Sequence, residues 1–267
     1  MPTPPVTGPL CTRDSLAADL RALGVRDGET LLVHSSLKSL GWVAGGAVAL
    51  VRSLLDTLGE TGTLVVPTHC GDNSDPAHWR RPAVPEEWWE PIRAALPAYD
   101  PLITPSRGVG VVPETVRTWP GAVRSAHPQT SFAAIGPGAS RITEGHALDC
   151  LLGERSPLAR LEETDGRVLL LGAGYDSCTS FHLAEYRVPR PVAQVSFAAA
   201  TPHGRRWVTV QDTALDSDRF DELGADFERD RPVVRGRVGA AACRLFPVRD
   251  AVAYARRWLE THRPHDA

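Results

Sequence analysis

Lysine is all but missing from this chain of 267 residues: Lys38 is the only one, and arginine supplies the other basic side chains. That reads as coding bias, not function. None of the five cysteines (Cys11, Cys70, Cys150, Cys178, Cys243) pairs into a CxxC, so the usual zinc and dithiol motifs are excluded and reduced thiols are expected. No apolar run approaches the roughly 20 residues of a membrane helix, and MPTPPVTGPL has neither the basic region nor the apolar core of a secretory signal. A cytoplasmic protein with no membrane partner is expected. The net charge is −3 and no arginine-rich run is interleaved with aromatics, which speaks against nucleic acid and for small-molecule chemistry.

What is present is an alternation of strand and helix signals. Thr12 can cap a helix with Leu16, Leu20 and Leu23 at helical spacing, and Gly24 ends it. A strand follows at Thr30 to Val33, then the polar loop His34-Ser35-Ser36-Leu37-Lys38-Ser39-Leu40-Gly41, then a helix after Gly45-Gly46 with Val48, Val51, Leu54, Leu55 and Leu58 on one side. Thr63 to Val66 is a second buried strand. The order β, loop, α, β predicts an α/β fold with a central, mainly parallel sheet flanked by helices. Further strands are expected at Ser131 to Ile135, Val168 to Leu171, Val192 to Ala198 and Arg206 to Val210, the last two as an antiparallel C-terminal portion. Ser156-Pro157 opens a short helix, and Val248 to Thr261 reads as a closing amphipathic one. The expected organisation is a flexible tail over 1–11 and one domain over 12–267, with an insertion near 68–104.

The most informative run is GAGYDSCTSFHLAEY, Gly172 to Tyr186. A helix starting near Ser177 or Thr179 places His182 and Glu185 three residues apart on one face, so the carboxylate can orient the imidazole of a general base. Gly172 and Gly174 allow a sharp turn at the strand's carboxyl end, where open α/β sheets bind ligands. The insertion carries Asp72, Asp75, Glu86, Trp89 and Tyr99 among other acids and aromatics. Together with Asp176 these suit a cationic, hydroxylated ligand; a solvated insertion anchored by its tryptophans is the plainer alternative. Arg107-Gly108-Val109-Gly110 suggests a glycine-rich turn entering a helix, friendly to anions.

Four blocks, LLVHSSLKSLGWVAGG, VVPTHCGDNSDPAHW, TPSRGVGVVPETVRTWPGAVRSAHPQTSFAAIG and SPLARLEETDGRVLLLGAGYDSCTSFHLAEY, together resemble the aminoglycoside 3-N-acetyltransferase family over roughly residues 12 to 260. The resemblance implies acetyl transfer from acetyl-coenzyme A to the 3-amine of the 2-deoxystreptamine ring of an aminoglycoside, with no metal, on an α/β fold unlike that of the common small N-acetyltransferases. A monomer or homodimer is expected. His182 matches the family's catalytic histidine and Glu185 the carboxylate three positions on. His34, Ser35, Ser36, Leu37, Lys38 and Ser39 match the loop that lies along the coenzyme in relatives; Arg107, Gly108, Val109, Gly110 and Thr179 are expected to contact it too. Asp72 matches an acidic acceptor position. Cys178 stands where relatives commonly have asparagine, and Cys70 where serine is usual.

The chemistry needs such groups whatever the name. The acceptor ammonium must lose a proton, and the oxyanion formed on attack needs donors, for which N–H groups before His182 or the hydroxyls of Thr179 or Ser180 are candidates. Four alternatives stay open: an acetyltransferase of the same family acting on another amine, a Cys178 thiolate nucleophile, a metal-dependent hydrolase using His34, His69, Asp72, Asp75 and His182, and a binding protein without catalysis.

Overall fold

The stretches Leu31-Leu32-Val33, Leu64-Val65-Val66 and Val168 to Leu171 have no polar side to turn toward water, and all ten residues are fully enclosed. Only strands covered on both faces accept such runs. In the computed structural model, which describes residues 8–263, they form the middle of a sheet between two helical layers. The chain runs β1 (Leu10–Cys11), α1 (Arg13–Leu23), β2 (Thr30–Ser35), β3 (Trp42–Val43), α2 (Gly46–Leu58), β4 (Thr63–Pro67), α3 (Trp89–Ala95), α4 (Val111–Arg117), β5 (Val123–Arg124) and β6 (Phe132–Ile135). It continues through α5 (Ala139–Thr143), α6 (Pro157–Glu163), β7 (Arg167–Leu171), α7 (Ser180–Glu185), β8 (Val192–Thr201), β9 (Gly204–Thr213), α8 (Phe220–Asp230), β10 (Val234–Val238), β11 (Ala241–Pro247) and α9 (Val248–His262).

Seven strands make the main sheet in the order β10-β11-β7-β2-β4-β6-β5. Side chains alternate between its faces. Leu32, Val65, Val168 and Leu170 pack with α5 to α9, while Leu31, Val33, Leu64, Leu169 and Leu171 pack with α1, α2 and α4. The expectation of a mainly parallel sheet is corrected: β2 is parallel to β4 and β7, but the other four pairings are antiparallel. After the insertion the chain re-enters through β5 and β6, which form an antiparallel pair and so cannot extend the parallel repeat.

The local signals for α1 hold in detail. The Thr12 side chain accepts from the Ser15 N–H, Ser15 bonds back to the Thr12 N–H, and Gly24 closes the helix at φ 101°, a conformation that favours glycine. Val48 in α2 is 47% exposed, so it leaves the apolar face assigned to it. Residues 1–7 of the expected tail lie outside the described residues. Leu10–Cys11, placed in that tail, instead pair in parallel with Trp42–Val43.

The C-terminal strands divide differently from expectation. β8 and β9 form a ribbon separate from the main sheet, ten residues paired with ten. The antiparallel extension of the sheet is the β10–β11 hairpin, which the sequence reading did not include. Arg235 and Arg237 are exposed on that edge strand and interrupt its apolar pattern. The ribbon holds the insertion: the Asn73 side chain donates to Ala198 O and accepts from Ala198 N, both at 2.8 Å, and Tyr99 N donates to the same carbonyl at 3.2 Å.

Candidate active site

Each of the three parallel strands delivers one imidazole to a single cavity. His34 is the second-last residue of β2, His69 stands two residues beyond β4, and His182 follows β7 through the Gly172-Ala173-Gly174 turn and one tight turn at Tyr175–Ser177. Gly172 has φ 65°, and a side chain there would collide with Ser39. The turn therefore needs glycine. The cavity measures about 1250 Å³ and is walled by the loop after β2, the start of α2 at Gly45-Gly46, the Gly108-Val109-Gly110 turn and the first turn of α7. It is larger than the roughly 300–1,000 Å³ usual for one small ligand.

The three rings differ in their surroundings. His182 Nδ1 lies 2.6 Å from Glu185 Oε2, which leaves Nε2 free for other partners; the ring packs on Phe220 at 4.7 Å. Glu185 is wholly buried. The cost of that burial is offset by Arg263 at 3.4 Å, Arg190 at 3.6 Å and the Asp216 N–H at 3.2 Å, all on Oε1. His34 and His69 have no carboxylate. Burial pushes His34 down to about 4 and His69 to about 3, the latter helped by the neighbouring His34 and His182. Both are uncharged at neutral pH, and rings so reluctant to take a proton are weak bases that serve beside the cavity as hydrogen-bonding groups.

Cys178 is fully buried, does not line the cavity, and has its thiol pushed up to about 12 by burial. A thiolate there has no route to substrate. Ser180 Oγ is likewise enclosed and unpartnered, away from the cavity wall. Among the described residues no three His, Cys, Asp or Glu side chains converge as metal ligands, and Asp75 and Asp72 of the five candidate ligands are bound to Arg93 and Arg107.

The chain, which sets a His182–Glu185 pair at a parallel strand end beside a glycine-walled cavity, matches a family model described as aminoglycoside 3-N-acetyltransferase over residues 32–260. The chain belongs to that family. It is accordingly an acetyl-CoA-dependent acetyltransferase by family. An aminoglycoside N(3')-acetyltransferase-like protein, YokD, from Bacillus subtilis is 45% identical over 93% of this chain and 92% of its own. Its crystal structure superposes with a TM-score of 0.95, at 42% identity, covering 98% of this chain and 97% of that one. Aminoglycoside N(3)-acetyltransferase VIII of Streptomyces fradiae is 38% identical over 95% of this chain and 93% of its own. A structure titled AAC-IIIb binary with CoASH matches with a TM-score of 0.83 and 34% identity over 94% of this chain and 97% of that one.

Of the family positions carried onto this chain, His34, Ser35, Ser36, Leu37, Lys38, Gly108, Val109, Gly110 and Thr179 line the cavity with His182. Ser39 does not; its hydroxyl donates to Ser36 O and its side chain packs against Gly172. Arg107 points to Asp72 at 3.1 Å on the outside of the loop.

The expected acceptor residues fare worse. Only Asp176 lines the cavity. Asp75 is held by Arg93 at 2.7 Å and borders a separate, smaller cleft of about 450 Å³. Glu86 is exposed on a tight turn, Trp89 is half-buried in α3, and Tyr99 is buried with its hydroxyl donating to Ser125 O. Sequence reasoning placed His69 only among possible metal ligands, and did not include Trp42, Gly45, Gly46 or Thr130 in the wall. The usable signal for His69 was its place just past a buried strand, the same signal that marks His34.

Proposed function

We propose that this protein transfers the acetyl group of acetyl-coenzyme A directly to the 3-amino group of the 2-deoxystreptamine ring of an aminoglycoside, with His182 as general base. The observation that carries the reading is the 2.6 Å contact of His182 with a buried Glu185, at the edge of a cavity roomy enough for a coenzyme arm and an acceptor together. Glu185 holds the ring so that Nε2 meets the acceptor amine, and its charge stabilises the imidazolium formed when the proton moves. The coenzyme's phosphates have a cation in Lys38, the only Lys or Arg side chain in the cavity wall among the described residues, and N–H groups at the start of α2. Burial of Cys178 favours direct transfer over a thioester on the enzyme.

One observation favours a wider acceptor range: Asp176 is the only carboxylate of the expected acceptor set in the wall. The test is thiol release from acetyl-coenzyme A across a panel of aminoglycosides and simpler primary amines, with mass spectrometry locating the acetyl group. Intersecting initial-rate lines, no acetylated enzyme, and near wild-type turnover for Cys178→Ser are the expected results. Release only with non-aminoglycoside amines would keep the transferase and discard the acceptor.

A further inference from the structure

Resting on the acetyl-transfer reading, we infer that the Thr179 hydroxyl is the donor that stabilises the oxyanion of the thioester carbonyl, and that His34 is a positioning residue that turns this hydroxyl toward the cavity. Thr179 immediately precedes α7 and lines the same wall as His182, whose N–H donates to Thr179 O at 3.0 Å. The base and the hydroxyl are thereby fixed to each other by one backbone bond. Thr179 Oγ1 lies 3.3 Å from His34 Nε2 and has no other hydrogen-bond partner among the described residues.

The direction of that contact decides what the hydroxyl can do. His34 is 5% exposed, sits at the centre of the sheet and is neutral, so it carries one N–H. A buried N–H without an acceptor is rarer and costlier than a lone pair without a donor. Thr179 Oγ1 is the only hydrogen-bond partner of His34 Nε2 among the described residues, and the proton is assigned to Nε2, where Thr179 Oγ1 accepts it. With a lone pair engaged by His34, the hydroxyl keeps its own proton, and the cavity is where that proton can go. Ser180, the other hydroxyl beside the base, is enclosed and cannot reach.

In the reaction the acceptor nitrogen forms its bond to the acetyl carbon while the carbonyl π pair moves onto oxygen, where the Thr179 O–H donates. The nitrogen's proton passes to His182 Nε2. When the oxyanion collapses, the carbon–sulfur bond breaks, and the proton goes from His182 to the departing coenzyme sulfur.

Thr179→Val keeps the shape and removes the proton. It is expected to lower kcat by about 10²–10³-fold, the loss typical of one oxyanion donor, with the Kd for coenzyme A within about twofold. Thr179→Ser should recover most of that loss. His34→Gln, which can still donate a proton, should lower kcat less than Thr179→Val. If His34 acts through Thr179, His34→Gln should have no further effect in the Thr179→Val background. Turnover of Thr179→Val within about threefold of wild type would overturn the donor assignment, since the expected loss is at least tenfold larger. Multiplying effects in the double variant would overturn the positioning role of His34. Wild-type protein that releases no thiol with any amine would instead remove the transfer reading and this inference with it.

Discussion

The turn after β7, residues 172–185, and the insertion, residues 68–104, carry acids and aromatics at similar density, yet the insertion gives the cavity wall only His69 and none of its acids, while the turn gives it Asp176, Thr179 and His182. At the turn, the carboxylate of Glu185 is buried and meets an imidazole that faces the cavity. Three of the insertion's six carboxylates meet arginines within it or just past its end, Arg93 on Asp75 at 2.7 Å and on Glu90 as well, and Arg107 on Asp72 at 3.1 Å, while Glu86 and Glu87 are exposed. Trp79 Nε1 donates to Ser74 Oγ at 2.9 Å, and Tyr99 turns inward beneath Arg124. The difference teaches that acids with arginines available in the same folded segment are neutralised there. A functional carboxylate is one whose partner faces open space.

The sharpest test of that contrast is at its functional end. His182→Ala is expected to lower kcat by about 10³-fold, within the range for loss of a general base, while calorimetry shows coenzyme A binding unchanged. Glu185→Gln should lower kcat less but cost on the order of 3 kcal/mol of stability, because Arg190 and Arg263 are left facing a neutral group in a buried site. Near wild-type turnover by purified His182→Ala would remove the base assignment.

How much was legible follows from range. The cap at Thr12, the stop at Gly24, the three central strands and the His182–Glu185 spacing are set within a few residues of chain, and the sequence displays them directly. The direction of β6 and the docking of β11 on β7 are decided by distant pairings, Leu64 with Ile135 and Leu171 with Cys243, with no local signature; β10–β11 is a local hairpin, but Arg235 and Arg237 interrupt its apolar pattern. The expected acceptor residues that lie outside the cavity wall are held there by partners distant in the chain. Asp75 is eighteen positions from the arginine that holds it, and Tyr99 is twenty-six from the carbonyl that receives its hydroxyl proton.

Four buried imidazoles set an acid limit on the fold. His34 and His146 are pushed down to about 4, and His69 and His127 to about 3, mainly by burial. His127 Nδ1 accepts N–H groups from Gln129 and Thr130, both at 3.1 Å, a role lost on protonation. In the unfolded chain such rings titrate near 6.5, so between about pH 6.5 and 4 the unfolded state binds protons that the folded state refuses. Stability is then complete above that window and falls as pH drops through it, by up to about 1.4 kcal/mol per pH unit for each ring. Urea midpoints at a series of pH values should show the decline. A flat profile would mean that the rings take up protons without unfolding.

The smallest effects separate the acids themselves. Asp176 faces the cavity and is exposed, so one ion pair to a cationic acceptor is worth about 0.2–1 kcal/mol, and Asp176→Asn should raise the acceptor KM by roughly twofold to fivefold. The KM for acetyl-coenzyme A should stay put, and added salt should reduce the difference between variant and wild type. Asp75→Asn removes half of a partly buried pair with Arg93, so it should lower the denaturation midpoint and leave the acceptor KM alone. Asp72 lies outside the cavity wall in an exposed pair, so Asp72→Asn should alter acceptor KM less than Asp176→Asn does. If Asp75→Asn raised the acceptor KM as much as Asp176→Asn, its carboxylate would have to leave Arg93 for the substrate. The insertion would then be an acceptor surface after all, with its arginines acting as stand-ins for the ammonium groups of the ligand.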